Sequence, residues 1–430
     1  MRRNAITALF SGPAAGVVGA IRQAARSGFG NLITFDMGGT STDVCLVAEG
    51  RASVAAETEI DGLPVRTPVL DIVSVGAGGG SIAWVDDGGM LRVGPESAGA
   101  DPGPACYGLG GKRPTLTDAH LIRGTIRADG FLGGGMRIDR EAAFAAFRPL
   151  AEQFGQSAED LAASAIRLAN ANIVRAIQLV STERGRDPRD YALLPFGGAG
   201  PLVAAQIAEE LGIGTILVPP NPGVLSAFGL LAADYIKVES MTRRFPVDAE
   251  APALVRTAFA QMRERLQGHF DELGLAGPVA LAFSAEMRFL GQAFEVSVEL
   301  PVERLAALSA VDLLDAFGAE HQRVFFHGAA ADRKVEIVSF RLAMARPIEQ
   351  LPRFAEPRGA AEERRPVRLH EPGGAIEVSL VPSASLAAGA ALDGPAIVES
   401  YSSSVFVPPG WRASLDDNDN FVMRRSAHAA

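Results

Sequence analysis

Cysteine is scarce in this chain: Cys45 and Cys106 are the only two among 430 residues. Two thiols so far apart form neither a metal-ligand pattern nor a disulfide framework, and the usage fits a reducing cytoplasm. Long apolar runs are also lacking. No stretch reaches the ~20 residues that a membrane-spanning helix requires. The opening Met1-Arg2-Arg3-Asn4 runs into a short mixed segment that does not read as a secretory signal. Basic charge is in deficit, with a formal net charge of −10. A chain this acidic has no general electrostatic attraction to nucleic acid or to an anionic membrane. Arg184, Arg186 and Arg189 form a local basic spot and read as a solvated turn. The six histidines offer no nucleophile–base arrangement, so no Ser/His/Asp or Cys/His set names a catalytic residue.

What the chain does have is an ordinary globular balance, 48% hydrophobic and 21% charged, at a length that suits two or three domains. It also has 47 glycines, and they are clustered. Pro13 to Ala25 reads as a helix, with Ser11 as its N-cap and Gly16 and Gly19 on one face, which points to close backbone approach by another element. Leu32 to Phe35 reads as a buried strand, and Val44 to Val47 and Ala52 to Ala55 as strands returning after turns. Residues 61–139 form a long insertion rich in glycine and proline. Ser157 to Glu183 is the clearest helix, with Ser157 and Asp160 placed as a capping box. Tyr191–Phe196, Pro201–Leu211 and Thr215–Val218 complete a βαβ unit, and Pro222–Ala233 is a further short helix. These elements give an α/β domain over 1–243. An α+β region over 244–350 follows, then a linker and small β domain over 351–430.

Two glycine turns carry the chemistry. In the first, a strand delivers Asp36, followed by Gly38, Gly39, Thr40 and Ser41. Glycines let the backbone approach a phosphate and offer its N–H groups, while Thr40 and Ser41 add hydroxyls. Asp36 is placed to hold Mg²⁺, directly or through water, because hard cations take oxygen ligands. In the second, Gly197, Gly198 and Gly200 lie between a strand and a helix, a common seat for a nucleotide. A third run, Gly78-Gly79-Gly80-Ser81, reads either as a cradle for an anion or substrate or as a flexible bend. Asp118 and His120 lack a third metal ligand and read as a helix cap and a surface histidine.

The run FDMGGTSTDV, preceded by SGPAAGVVGA, resembles the hydantoinase A/5-oxoprolinase family. So do VGAGGGSIAWVDDGGMLRVGPESAGADPGPACYG, PTLTDAHLI, LLPFGGAGP, VPPNPGVLSAFGLLAADY, FLGQAFEVSVEL and GPAIVESYSSSVFVPPGW. The resemblance implies an actin/hexokinase/Hsp70-type ATPase fold, of which residues 1–243 supply a ribonuclease-H-like half. It places Asp36, Gly38, Gly39 and Thr40 in the second phosphate motif and Gly197, Gly198 and Gly200 in the adenosine motif. Pro13–Ala25 and Pro222–Ala233 match the two connecting helices, crossing at Gly16, Gly19, Ala227 and Gly229. It also implies ATP and Mg²⁺ as cofactors and a B-type subunit as partner. The function it implies is ATP-dependent hydrolysis of a small cyclic amide such as a hydantoin or 5-oxoproline. The family's first phosphate motif precedes the first connecting helix, where this sequence has about one turn of chain. The chain is therefore expected to need a missing N-terminal half and to open no lactam alone. Two alternatives stay open: a subunit of an ATP-dependent ketone carboxylase, and an inactive truncated or scaffold protein.

Overall fold

A computed structural model describes residues 11–55, 58–60, 63–65, 69–325, 333–348, 364–371 and 373–426. The chain divides into two compact units, residues 1–232 with 352–430, and residues 233–351.

In the first unit, helix α1 (Ser11–Arg26) leads to β1 (Leu32–Met37) and β2 (Thr42–Ala48). Ser11, expected as the N-cap, is already helical, and its side chain lies outside the described residues. The insertion is more ordered than its composition suggests. It holds β3 (Ile72–Val75), a hairpin of β4 (Ser81–Val85) and β5 (Leu91–Ser97), and helix α2 (Leu116–Arg123). Next come α3 (Arg140–Phe154), α4 (Ala158–Val180), β6 (Ala192–Phe196), α5 (Gly200–Leu211), β7 (Thr215–Val218) and α6 (Leu225–Ala232). Strand β1 runs parallel to β6 and antiparallel to β2, and β6 runs parallel to β7. Because β1 and β6 lie at the centre, both their faces are covered. This is why LITF and ALLPF are continuous apolar runs rather than alternating ones. Ser157 caps α4 by accepting from the Asp160 N–H, and Ile166, Ala169, Ile173 and Ile177 bury the expected stripe.

Helices α1 and α6 cross with almost no space between their backbones. A Cβ on Gly19 would lie 2.8 Å from the Leu225 carbonyl oxygen, and one on Gly229 would lie 2.9 Å from the Gly19 nitrogen. The crossing expected from small residues is therefore present, with one correction. Ala227 faces outward, and Ser226 takes the inner position, 2.9 Å from where a Gly16 Cβ would be. In an eight-residue helix only the i, i+3, i+4 set can face one neighbour.

The second unit is a four-stranded antiparallel sheet of β8 (Tyr235–Pro246), β9 (Ala280–Phe289), β10 (Val296–Glu299) and β11 (Val335–Arg346), in the order β8-β11-β9-β10. Helices α7 (Ala251–Glu272) and α8 (Ala310–Phe325) pack on it around Phe270, Phe283, Phe317 and Phe340. Strand β8 runs through the boundary expected at 243. Its pairing partner β11 lies about a hundred residues away, so nothing local marks where it joins.

The C-terminal residues carry β12 (Arg365–Glu371), β13 (Gly374–Pro382), β14 (Ala391–Asp393), β15 (Ala396–Glu399), β16 (Ser404–Val407), β17 (Trp411–Leu415) and β18 (Phe421–Arg425). They do not stand apart as a small domain. β12, β13, β15 and β16 make their own sheet, but β18 pairs antiparallel with β7 and brings β17 and β14 into the main sheet. Trp411 is fully buried there and donates to Glu209 of α5 at 2.7 Å. An apolar run such as FVM signals a strand without signalling which sheet it enters.

Candidate functional site

The site starts at the end of β1, where the chain must turn sharply to pair with β2. Gly38 donates to the Ser41 carbonyl at 3.2 Å, which closes the turn and leaves Gly39 and Thr40 exposed at its tip. Asp36 sits opposite Asp43 in the hairpin register. Burial pushes its carboxyl up from 3.8 to about 6, Asp43 pushes in the same direction, and a hydrogen bond from Ser226 opposes both. Among the described residues no group of three or more His, Cys, Asp or Glu side chains is placed to hold a metal ion. A cation at Asp36 would therefore take most of its ligands from phosphate and water, as Mg²⁺ commonly does.

The second glycine turn abuts the first. Gly197 has φ +77°, and a Cβ there would collide with the Asp36 carboxyl and lie 2.5 Å from the Met37 carbonyl oxygen. Glycine is thus required twice over, by conformation and by space. Ala199 donates to the Met37 carbonyl at 3.1 Å, which ties the two turns together. Gly198 faces the neighbouring cavity, whereas Gly200 opens α5 and packs towards Phe35 and Pro195 in the core.

The third run has a different role from either expected one. Gly79 donates to the Gly38 carbonyl at 2.9 Å and Gly80 to the Gly39 carbonyl at 2.6 Å, while Gly78 donates to the Ser81 hydroxyl at 2.8 Å. A Cβ on Gly78 would lie 2.6 Å from the Thr40 nitrogen. All three N–H groups are spent within the protein. The run therefore braces the hairpin from behind with its N–H groups, and its buried glycines are held rather than flexible. Of Gly78, Gly79, Gly80 and Ser81, Gly79 lines the cavity.

Asp118 is a helix cap, as expected: its carboxylate accepts from Cys106 N at 2.8 Å, Thr115 N at 2.9 Å and the Thr115 hydroxyl at 2.7 Å. His120 is a correction. It is buried, not on the surface, because every residue of α2 is enclosed. Burial, and then Arg123, lower its pKa to about 3, so it is neutral. Both cysteines are buried, and burial pushes the Cys45 thiol up to about 12, which removes it as a nucleophile at neutral pH. Arg184 pairs with Asp71 and Arg189 with Asp187, so two of the three turn arginines are engaged within the protein.

A cavity enclosing ≈ 770 Å³ of empty space, part of it open to solvent, joins these pieces. Gly38, Gly39 and Gly198 form one side of it. Tyr107, Arg127 and Phe131 come from the insertion, Glu399 from the end of β15, and Tyr401 from the turn between β15 and β16. That turn is docked on the second glycine loop, with the Ser403 hydroxyl donating to the Gly198 carbonyl at 3.1 Å. Sequence reasoning did not single out these side chains. The one available signal was the aromatic and serine content of PGPACYG and ESYSSS, which did not say that the two segments meet.

No helix among the described residues is long and apolar enough to cross a membrane. Comparison with known proteins agrees with the resemblance. The hydantoinase/oxoprolinase family matches residues 1–239, and its C-terminal domain matches residues 247–426. Caprolactamase subunit alpha of Pseudomonas jessenii is 36% identical over 98% of this chain and 62% of its own length. The nucleotide-free structure of acetone carboxylase superposes with a TM-score of 0.80 at 27% identity, covering 96% of this chain and 61% of that one. The ATP-dependent caprolactamase of P. jessenii superposes with a TM-score of 0.76 at 34% identity, with the same coverage. The chain thus spans about six-tenths of the length of these relatives. With the family's model matching more than half of its length, the chain belongs to the hydantoinase/oxoprolinase family.

Proposed function

We propose that this chain is the ATP-binding A-type part of an enzyme that opens a small cyclic amide, working with a B-type subunit. The observation that carries this reading is the junction of two glycine turns and an aromatic-walled cavity in one place. An amide carbonyl is a poor electrophile. ATP supplies the terminal phosphoryl group that converts the amide oxygen into a leaving group. Water then adds to the ring carbon, the ring C–N bond breaks with a proton passing to nitrogen, and hydrolysis releases phosphate. Gly39 and Thr40, at the tip of the turn that Gly38 closes, offer N–H and hydroxyl donors where charge gathers on the phosphoryl oxygens. Ser41 adds a hydroxyl beside them, and Asp36 would hold Mg²⁺, which would neutralise phosphate charge. Gly198 stands where the adenosine would pass, with Gly197 and Gly200 shaping its loop. The caprolactamase relative, named for lactam opening, supports this reading.

A second reading, ATP-dependent carboxylation of a ketone, is favoured by the TM-score of 0.80 to acetone carboxylase. The test supplies the reconstituted protein with Mg-ATP and either caprolactam, or acetone with bicarbonate. Phosphate release dependent on the lactam supports the first reading. Release dependent only on ketone and bicarbonate replaces it with the second.

A further inference from the structure

The turn between β15 and β16, residues 400–403, holds an aromatic ring in solvent beside the second glycine loop. The turn is closed on itself: the Ser400 N–H and hydroxyl both donate to the Ser403 carbonyl, each at 2.9 Å. It is seated on glycines from three distant segments. A Cβ on Gly133 of the insertion would lie 2.5 Å from the Tyr401 ring. One on Gly223, just ahead of α6, would lie 2.9 Å from the Ser402 side chain. At Gly198 the Ser403 hydroxyl donates to the carbonyl at 3.1 Å. Tyr401 is nonetheless 69% exposed, and it lines the same cavity as Gly38, Gly39, Gly198 and Phe131.

Leaving a large ring in water forgoes the burial that normally stabilises it. Fixing that ring on a closed turn removes the entropy cost of ordering it when a ligand arrives. A fixed, open ring suits a flat ligand with a π-face of its own. A nucleotide with its phosphates at the Gly39–Thr40 tip and its sugar passing Gly198 carries its base to the next residues of the cavity. Those are the residues of this turn, which touches Gly198 directly. We propose that residues 400–403 form the base-side clamp of the nucleotide site. Tyr401 stacks on the base, and Ser403 is a positioning residue that holds the Gly198 loop against it. Stacking reads the face of a base and not its edge, so the clamp takes purine nucleotides generally and ignores a bare phosphate chain. This inference rests on the ATP-binding part of the reading above and does not depend on which substrate is activated.

The test is calorimetric titration of the full 430-residue chain with Mg-ATP, Mg-GTP and Mg-tripolyphosphate. Tyr401→Ala should weaken both nucleotides roughly 5- to 150-fold and leave tripolyphosphate binding as it is. Tyr401→Phe keeps the ring and should match the wild type with all three. Ser403→Ala should weaken the nucleotides roughly 2- to 10-fold, and Ser403→Thr, which keeps the hydroxyl, should restore them. Circular dichroism melts check that each variant folds. Nucleotide affinity untouched by Tyr401→Ala, or a loss that tripolyphosphate shares, would overturn the inference. If the wild type binds Mg-ATP and Tyr401 is irrelevant, the inference alone fails. If the wild type binds no Mg-ATP, the ATP-binding reading fails with it.

Discussion

Replacing Asp36 by asparagine probes a place where burial and charge conflict. Burial and Asp43 raise this carboxyl from 3.8 to about 6. The folded protein therefore holds the proton more tightly than the unfolded chain does. The stability linked to it is fully present below the unfolded value of 3.8 and is lost as pH rises through about 6. A change of that size corresponds to about 3 kcal/mol, unfavourable to the folded, ionised state at neutral and higher pH. Asparagine removes the charge and little volume. Without magnesium at about pH 8, the variant should be more stable than the wild type by up to that amount, and the difference should shrink as pH falls towards about 4. Ligand linkage should reverse the order: Mg-ATP should raise the melting temperature of the wild type and not of the variant. Scanning calorimetry across this pH range, with and without Mg-ATP, measures both effects. Identical pH dependence in the two proteins would refute the buried-carboxyl account. An unchanged Mg-ATP affinity in the variant would refute Asp36 as the cation's anchor.

Three further perturbations test other links. Gly16→Leu should destabilise more than Ala14→Leu by about 1–3 kcal/mol, because a Gly16 Cβ already falls 2.5 Å from the Phe196 ring; equal melting points would show that the helices can part there. Trp411→Ala should cost about 3–5 kcal/mol and lower the melting of the first unit, since Trp411 anchors the C-terminal strands to α5; a loss confined to residues 364–426 in hydrogen exchange would contradict that anchoring. His120, lowered to about 3 by burial, stays neutral in the fold while the unfolded chain takes up its proton near 6.5. Stability should therefore fall as pH drops below about 6.5, with a slope of up to ~1.4 kcal/mol per pH unit that His120→Gln removes; an unchanged acid limb in the variant would refute it.

Both glycine turns, the helices flanking them and the parallel strands were legible because each leaves a local mark. A buried central strand is a continuous apolar run, a turn at a strand end needs glycine, and a cap needs Ser157 three residues before Asp160. The crossing of α1 and α6 was legible for the same reason, through Gly16, Gly19 and Gly229. The role of Gly78 to Gly80 was not. Sequence shows that the backbone can come close to something, and only the fold shows that the neighbour is the Gly38–Thr40 turn rather than a ligand. Long-range pairing was equally hidden: β8 reaches β11, and β18 joins the main sheet, through contacts that no window of sequence contains. Arg127 and Glu399 belong to this class too. Each reads as an ordinary surface charge until the insertion and the β15–β16 turn meet across the cavity.

The central claim is that this fold couples phosphoryl transfer to the opening of a cyclic amide. The most direct measurement follows ring opening and phosphate release in one reaction. It uses the protein with a B-type subunit, Mg-ATP, and 5-oxoproline, hydantoin or caprolactam. The account predicts that a ring opens only when ATP is present, with phosphate released in step, and that Asp36→Asn suppresses both together. Ring opening that proceeds without ATP, or that continues undiminished in the Asp36→Asn protein, would contradict it.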